Sequence, residues 1–199
     1  MNNVKGEKPF CIIISGLPSS GKTHLSIELS KGLVIYLLNS EFVRERYCNS
    51  MKDYFDNVFL STMNQVNIEN KERCTILCAS RTSFIFDGNS LDHEVYARLL
   101  QLLDHFDYER INIRIKSSEE KCKENYSKRK VGSVFVDESV LGDSVFFTPA
   151  LVWKVNNTDV SDDSFQYIIE NYGSIEEYNN NIKELIEQIK KARSKQNER

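Results

Sequence analysis

Eight residues, Gly16-Leu17-Pro18-Ser19-Ser20-Gly21-Lys22-Thr23, follow the pattern G-x-x-x-x-G-K-[ST]. Glycines at its first and sixth positions let the backbone turn so that successive N–H groups face inward and cradle phosphate oxygens. Lys22 supplies an ammonium group for the β- and γ-phosphates, and Thr23 supplies a hydroxyl suited to Mg2+. An apolar run, Phe10-Cys11-Ile12-Ile13-Ile14, precedes the pattern, and a helical one, His24 to Leu29, follows it. Strand, tight loop and helix N-terminus are the context in which such residues hold a nucleoside triphosphate, with the helix dipole adding positive potential. The expected ligands are ATP and Mg2+.

Three further groups bear on what a bound triphosphate would do. Phe84-Ile85-Phe86-Asp87 is a short apolar run ending in a carboxylate, and Asp87 is the expected second metal ligand beside Thr23. Leu38-Asn39-Ser40-Glu41-Phe42-Val43-Arg44 places another carboxylate and an arginine just after a second apolar run. Glu41 suits a general base for an acceptor hydroxyl, and Arg44 suits an acceptor phosphate or the orientation of Glu41. The same spacing also describes an ordinary helix start, with Asn39 or Ser40 as cap and Glu41 favoured by the dipole. The third group is the basic stretch Lys121 to Lys130, in which Arg129 is the expected lid cation and Lys128 its reserve. For most of these lysines a solvated helical face is the simpler reading.

These groups need elements to position them. Short apolar segments at Phe10 to Ser15, Leu33 to Leu38, Ser83 to Asp87, Ile111 to Lys116 and Leu151 to Val155 are the expected strands. Helical spacing lies between them at Thr23 to Lys31, twice within Glu41 to Ser80, at His93 to Phe106 and at Glu119 to Arg129. It returns near the end, from Ser174 to Ala192, and Arg193 to Arg199 are expected to fray. Alternation of this kind predicts an α/β fold, a five-stranded parallel sheet with helices on both faces. With no repeat or Pro/Gly-rich linker, residues 1–199 are expected to form a single domain, with a small helical lid over about 117–134.

Composition narrows the partners. A formal net charge of -3 argues against coating nucleic acid by bulk charge, although Arg110 to Lys130 is locally basic. No apolar run approaches the roughly 20 residues that cross a bilayer, and the N-terminal residues lack the apolar core of a signal peptide. No membrane association and a cytoplasmic location are the expectations. Cys11, Cys48, Cys74, Cys78 and Cys122 form no C-x-x-C pair and have no His cluster beside them, so buried thiols are expected and zinc is not. An Asn/Thr-Lys-x-Asp base-recognition motif, the mark of a GTPase switch, is absent, as is an Asp-Glu pair after the Asp87 strand.

Together these motifs, from about Ile12 to Val155, resemble the polynucleotide-kinase-like branch of small P-loop kinases. The loop itself is also similar to those of tRNA-linked ATPases of the Kti12 type and of seryl-tRNA kinases. In the bacteriophage-type polynucleotide 5′-kinases the second strand leads into Asn-x-Asp-x-x-Arg, matched here by Asn39-Ser40-Glu41-Phe42-Val43-Arg44 with Glu in place of Asp. The resemblance therefore gives Glu41 the role of base and Arg44 that of catalytic support. Phe86-Asp87-Gly88-Asn89 matches the third-strand motif, while Arg98 stands later than the family's next arginine. The lid motif keeps Cys122, Asn125 and Arg129 but has Glu124 where the family has an arginine. The resemblance further implies a P-loop NTPase fold with strand order 2-3-1-4-5, and places the loop after the last strand, Asn156 to Asp159 with Asn157 in it, near the nucleotide base.

The leading expectation is an ATP-dependent kinase acting on a hydroxyl of a polynucleotide, at a 5′-end or a modified base. A small-molecule kinase acting on a nucleoside or nucleotide is the first alternative. A regulatory ATPase of the Kti12 type, working through a partner, is the second.

Overall fold

The computed structural model describes residues 8–47, 59–88, 93–128 and 164–197. Five strands, β1 (Phe10–Ser15), β2 (Tyr36–Asn39), β3 (Phe84–Asp87), β4 (Glu109–Lys116) and β5 (Tyr167–Glu170), form one sheet. Their order is β2-β3-β1-β4-β5, and every pairing is parallel. The α/β class, the parallel sheet and its order are as expected. Because all strands run the same way, β1, β2 and β3 end on one side, where the loops that follow them meet.

Alternation along the strands explains the two layers. Successive side chains of β1 point to opposite faces. Ile12 and Ile14 join Leu25, Leu29, Ile113, Ile182 and Ile189 in one buried cluster. Cys11 and Ile13 join Leu38, Val66, Cys78, Phe84 and Leu103 in the other. The first face is covered by α1 (Lys22–Leu33) and α6 (Ile175–Asn197), and the second by α2 (Ser40–Arg44), α3 (Phe59–Ala79) and α4 (His93–His105). A further helix, α5 (Glu119–Ser127), follows β4 and begins at Ser118, whose side chain accepts from the Lys121 N–H. Among the described residues, no helix is long and apolar enough to cross a membrane.

Three expectations need correction. The second strand starts at Tyr36 and not Leu33, because α1 continues through Leu33, which packs on the α1–α6 core. The helix then stops at Val34, a left-handed cap (φ 55°) whose N–H returns to the Ser30 carbonyl. The fifth strand of the sheet is Tyr167–Glu170. Leu151 to Val155, expected in that place, lie outside the described residues, as do Cys48, Asn89, Arg129 and Asn157. Finally, α6 runs through Arg193 to Asn197, where fraying was expected. Arg193 explains the extension: it pairs with Glu109, donates to the Lys8 carbonyl at 2.6 Å and stacks 4.5 Å above the Phe10 ring.

Candidate functional site

Gly16 to Thr23 connect β1 to α1 and lie at the carboxyl end of the sheet. The Ser20 N–H donates to the Leu17 carbonyl at 3.1 Å and closes a tight turn. Ser19 (φ 59°) and Gly21 (φ 100°) are both left-handed, an alternation that curls a backbone into a concave array of N–H groups. A Cβ at Gly16 would sit 2.8 Å from Ser20 Oγ and 3.1 Å from the Ile115 carbonyl, so glycine lets the loop pack closely against β4. The Lys22 ammonium curls back over this loop, 3.0 Å from the Gly16 carbonyl and 2.8 Å from that of Leu17.

Thr23 and Asp87, far apart in sequence, meet here. Asp87 Oδ2 accepts from Ser26 Oγ at 2.8 Å and from Asn39 Nδ2 at 2.6 Å, and the Thr23 hydroxyl favours its ionised form. Burial pushes the Asp87 carboxyl above the ordinary carboxylate range, while the Ser26 and Thr23 hydroxyls and the Lys22 ammonium pull against it. The charge of Glu41, in the first turn of α2 beyond Asn39, adds to the upward shift. The pair of hydroxyl and carboxylate is a set of hard oxygen donors, the chemistry preferred by a cation such as Mg2+. Ser20 Oγ, fully buried, has no hydrogen-bond partner among the described residues.

Glu41 sits in the first turn of α2, and Asn39 Oδ1 caps that turn by accepting from the Glu41 and Phe42 N–H groups at 2.8 and 3.0 Å. The cap expected from the sequence is therefore Asn39, which serves Asp87 as well. Arg44 is in the last turn of the same helix, partly buried, with its Nε fully enclosed.

On α5, Cys122 is fully buried and Asn125 Nδ2 donates to the Ser19 carbonyl at 3.1 Å, tying this helix to the loop. The Cys122 thiol is raised by burial and lowered in part by the Ser117 hydroxyl and the Lys22 charge. The lysines of α5 are matched by its own carboxylates: Lys121 with Glu124 at 3.1 Å, Lys123 with Glu119 at 2.7 Å, and Lys128 with Glu124. Lys128 is exposed.

Several contributors to this geometry were not singled out by sequence pattern. Ser26 lies three residues beyond Thr23 on the same helical face, a spacing that could have nominated it. Asn171 and Tyr178, from the end of β5 and the start of α6, bond the Ser20 and Gly21 carbonyls at 2.8 and 3.3 Å. No local signal marks either.

A family model described as an AAA domain matches residues 11–145. No curated protein matches the chain in sequence. Among solved structures, a chain of the PezAT toxin–antitoxin system of Streptococcus pneumoniae superposes with a TM-score of 0.59 at 17% identity, covering 84% of this chain and 70% of that one. Shikimate kinase from Bacteroides thetaiotaomicron gives 0.57 at 11% identity, covering 91% and 98%. The APS kinase CysC of Mycobacterium tuberculosis, in complex with AMPPNP and APS, gives 0.55 at 12% identity, covering 92% and 99%. At these identities the likeness is one of fold, and that fold is the one P-loop kinases share.

Proposed function

Taking as premise that this chain belongs to the AAA-domain family over residues 11–145, we propose that it is an ATP-dependent kinase that transfers the γ-phosphoryl group to an acceptor hydroxyl. The observation that carries this reading is the buried Asp87 carboxylate at the end of β3, which accepts from Ser26 and Asn39, with Glu41 in the first turn of the helix that follows the neighbouring strand. A buried carboxylate beside the phosphate loop suits a metal ligand, and a second, less buried one after the neighbouring strand suits the base for an acceptor hydroxyl. The Asp-Glu pair that would activate water after this strand is absent, Gly88 following Asp87.

The residues fit Mg-ATP: a loop packed tightly at Gly16, a buried Ser20 hydroxyl with no partner among the described residues, and hard oxygen donors at Thr23 and Asp87. When bound, Mg-ATP supplies the phosphoryl group and an electrophilic phosphorus. Residues Gly16 to Thr23 hold the phosphates, and Thr23 and Asp87 hold the cation. Lys22 exchanges its loop carbonyls for phosphate oxygens and neutralises their charge. Glu41 takes the proton of the acceptor hydroxyl, with Arg44 behind it on the same helix. Arg129 is the proposed lid cation, favoured over Lys128 by the ion pair that engages Lys128 with Glu124. Asn157 is proposed to lie near the base.

For the acceptor, the motif Asn39-x-Glu41-x-x-Arg44 supports a polynucleotide hydroxyl. Similarity to shikimate and APS kinases over more than nine-tenths of this chain, together with the net charge of -3, supports a small molecule. Incubation with γ-labelled ATP and single-stranded DNA, RNA, tRNA, nucleosides or small alcohols distinguishes these, with Lys22→Ala as the control. A polynucleotide acceptor predicts a KM that rises steeply with salt, and a small acceptor a nearly flat response. ATP consumption that needs a partner protein and labels no acceptor overturns the kinase reading in favour of a regulatory ATPase.

A further inference from the structure

The phosphate loop is held from behind by side chains of three other segments. Asn125 Nδ2 from α5 reaches the Ser19 carbonyl at 3.1 Å. Asn171 Nδ2, just past β5, reaches the Ser20 carbonyl at 2.8 Å, and the Tyr178 hydroxyl of α6 reaches the Gly21 carbonyl at 3.3 Å. Three consecutive peptide groups are thus gripped by their oxygens. We propose that Asn125, Asn171 and Tyr178 are positioning residues for the triphosphate, acting through these carbonyls on the N–H groups of the same peptides.

Peptide geometry gives the reason. In a planar trans peptide the C=O of one residue and the N–H of the next point in opposite directions. Holding the Ser19 carbonyl aims the Ser20 N–H, which closes the turn onto Leu17. Holding the Ser20 and Gly21 carbonyls aims the N–H groups of Gly21 and Lys22 away from the clamp. Backbone N–H groups fixed in this way form an anion-binding concavity without reorganising when the ligand arrives.

Two independent features fit the clamp. A Cβ on Gly21 would meet Asn171 Nδ2 at 2.9 Å and the Tyr178 ring at 3.0 Å, so the clamp occupies the space that glycine leaves open. Ser19 keeps a left-handed backbone that its side chain disfavours, and the Asn125 bond lands on that residue. The clamp is itself rigid. Asn171 is buried, its N–H donates to the Lys116 carbonyl and its own carbonyl accepts from Ser117 Oγ, each at 2.9 Å. Tyr178 is buried in the α1–α6 core, and burial together with the Asp87 charge keeps its phenol protonated as a donor. His24 Nε2 lies 2.7 Å from Asn179 Oδ1, a second tie between the starts of α1 and α6.

This inference rests on the nucleotide-binding part of the proposed function and needs no knowledge of the acceptor. Calorimetric titration of the full chain with Mg-ATP, and competition by inorganic tripolyphosphate, test it in Asn125→Ala, Asn171→Ala, Asn171→Asp and Tyr178→Phe. Each loss of a donor is expected to weaken both ligands about 10-fold, the effect of one hydrogen bond of ordinary strength. Asn171→Asp is expected to lose more than Asn171→Ala, since it sets a negative charge behind the phosphate site. Tyr178→Phe keeps the buried ring, so its unliganded melting temperature should stay within a few degrees of wild type. Unchanged ATP affinity in Tyr178→Phe and both Asn171 variants would overturn the clamp, as would a loss confined to ATP with tripolyphosphate competition intact. A wild-type protein that binds ATP and labels no acceptor overturns the kinase reading while the variant affinities still decide the clamp. One that binds no ATP overturns both.

Discussion

Asn39 and Asp87 are register partners on β2 and β3, and the amide nitrogen of Asn39 lies 2.6 Å from the Asp87 carboxylate. The other end of the same amide accepts the Glu41 and Phe42 N–H groups and starts α2. One side chain therefore sets both the carboxylate proposed to hold the cation and the helix that carries the proposed base. Both residues end their strands, so the shared register of a parallel sheet brings them to the same edge of the crevice.

Replacing Asn39 with Ala should cost about 2 kcal/mol of stability, from the lost cap and the lost donor to a buried carboxylate. Urea unfolding measures this. Asn39→Asp separates the two functions, since aspartate caps a helix equally well but repels Asp87. Its cost at neutral pH should therefore be at least that of Asn39→Ala and should shrink as pH falls and the two carboxyls share a proton; a wild-type stability at neutral pH would show that Asn39 acts on α2 alone.

Asp87→Asn should abolish transfer and yet stabilise the unliganded chain by about 1 kcal/mol at neutral pH, as removal of a buried functional charge often does. The sign follows from the raised carboxyl. Its folded value lies above the unfolded 3.8, so between the two the folded state holds more protons and stability falls as pH rises. The stabilising contribution is complete below the unfolded value and is gone above the folded one. Subtracting the Asp87→Asn pH–stability curve from that of wild type should leave this downward step.

Glu41→Gln should lower kcat by about 100-fold or more while the Kd for ATP changes little, the pattern of a lost proton acceptor. Pre-steady-state transfer with labelled ATP measures the first quantity and calorimetry the second. Full activity in this variant would remove Glu41 from the reaction. Lys22→Ala should instead weaken both, because Lys22 is placed over the loop that holds the phosphates.

Arg193→Ala should destabilise the chain by about 2 kcal/mol, because it removes a partly buried ion pair with Glu109, a bond to the Lys8 carbonyl and a cation–π contact with Phe10. Arg193→Lys should recover little, since a point charge cannot serve three partners in different directions. Chemical unfolding compares the two.

Much of the fold was legible because its signals are local. Apolar runs at Phe10 to Ser15 and Phe84 to Asp87 could be buried on both faces only as central parallel strands, and that is their place. The second strand starts later than composition suggests, because Leu33-Val34-Ile35 suits a strand while the fold extends α1 through Leu33 and breaks it at a left-handed Val34. Packing against α6 outweighed local preference there.

What the amino-acid order determines alone is the chemistry of the loop. Glycines at Gly16 and Gly21 with Lys22 and Thr23 between strand and helix specify a phosphate cradle, since the bonds that shape it span only a few residues. Tertiary structure decides what surrounds that loop. The sheet brings Asp87 to Ser26 at the start of α1, and strand register joins it to Asn39. Asn171 and Tyr178 reach the loop across about 150 residues, a relation no local pattern encodes. The physical reason is that a buried carbonyl must find a donor somewhere, but only the completed packing determines which distant side chain provides it.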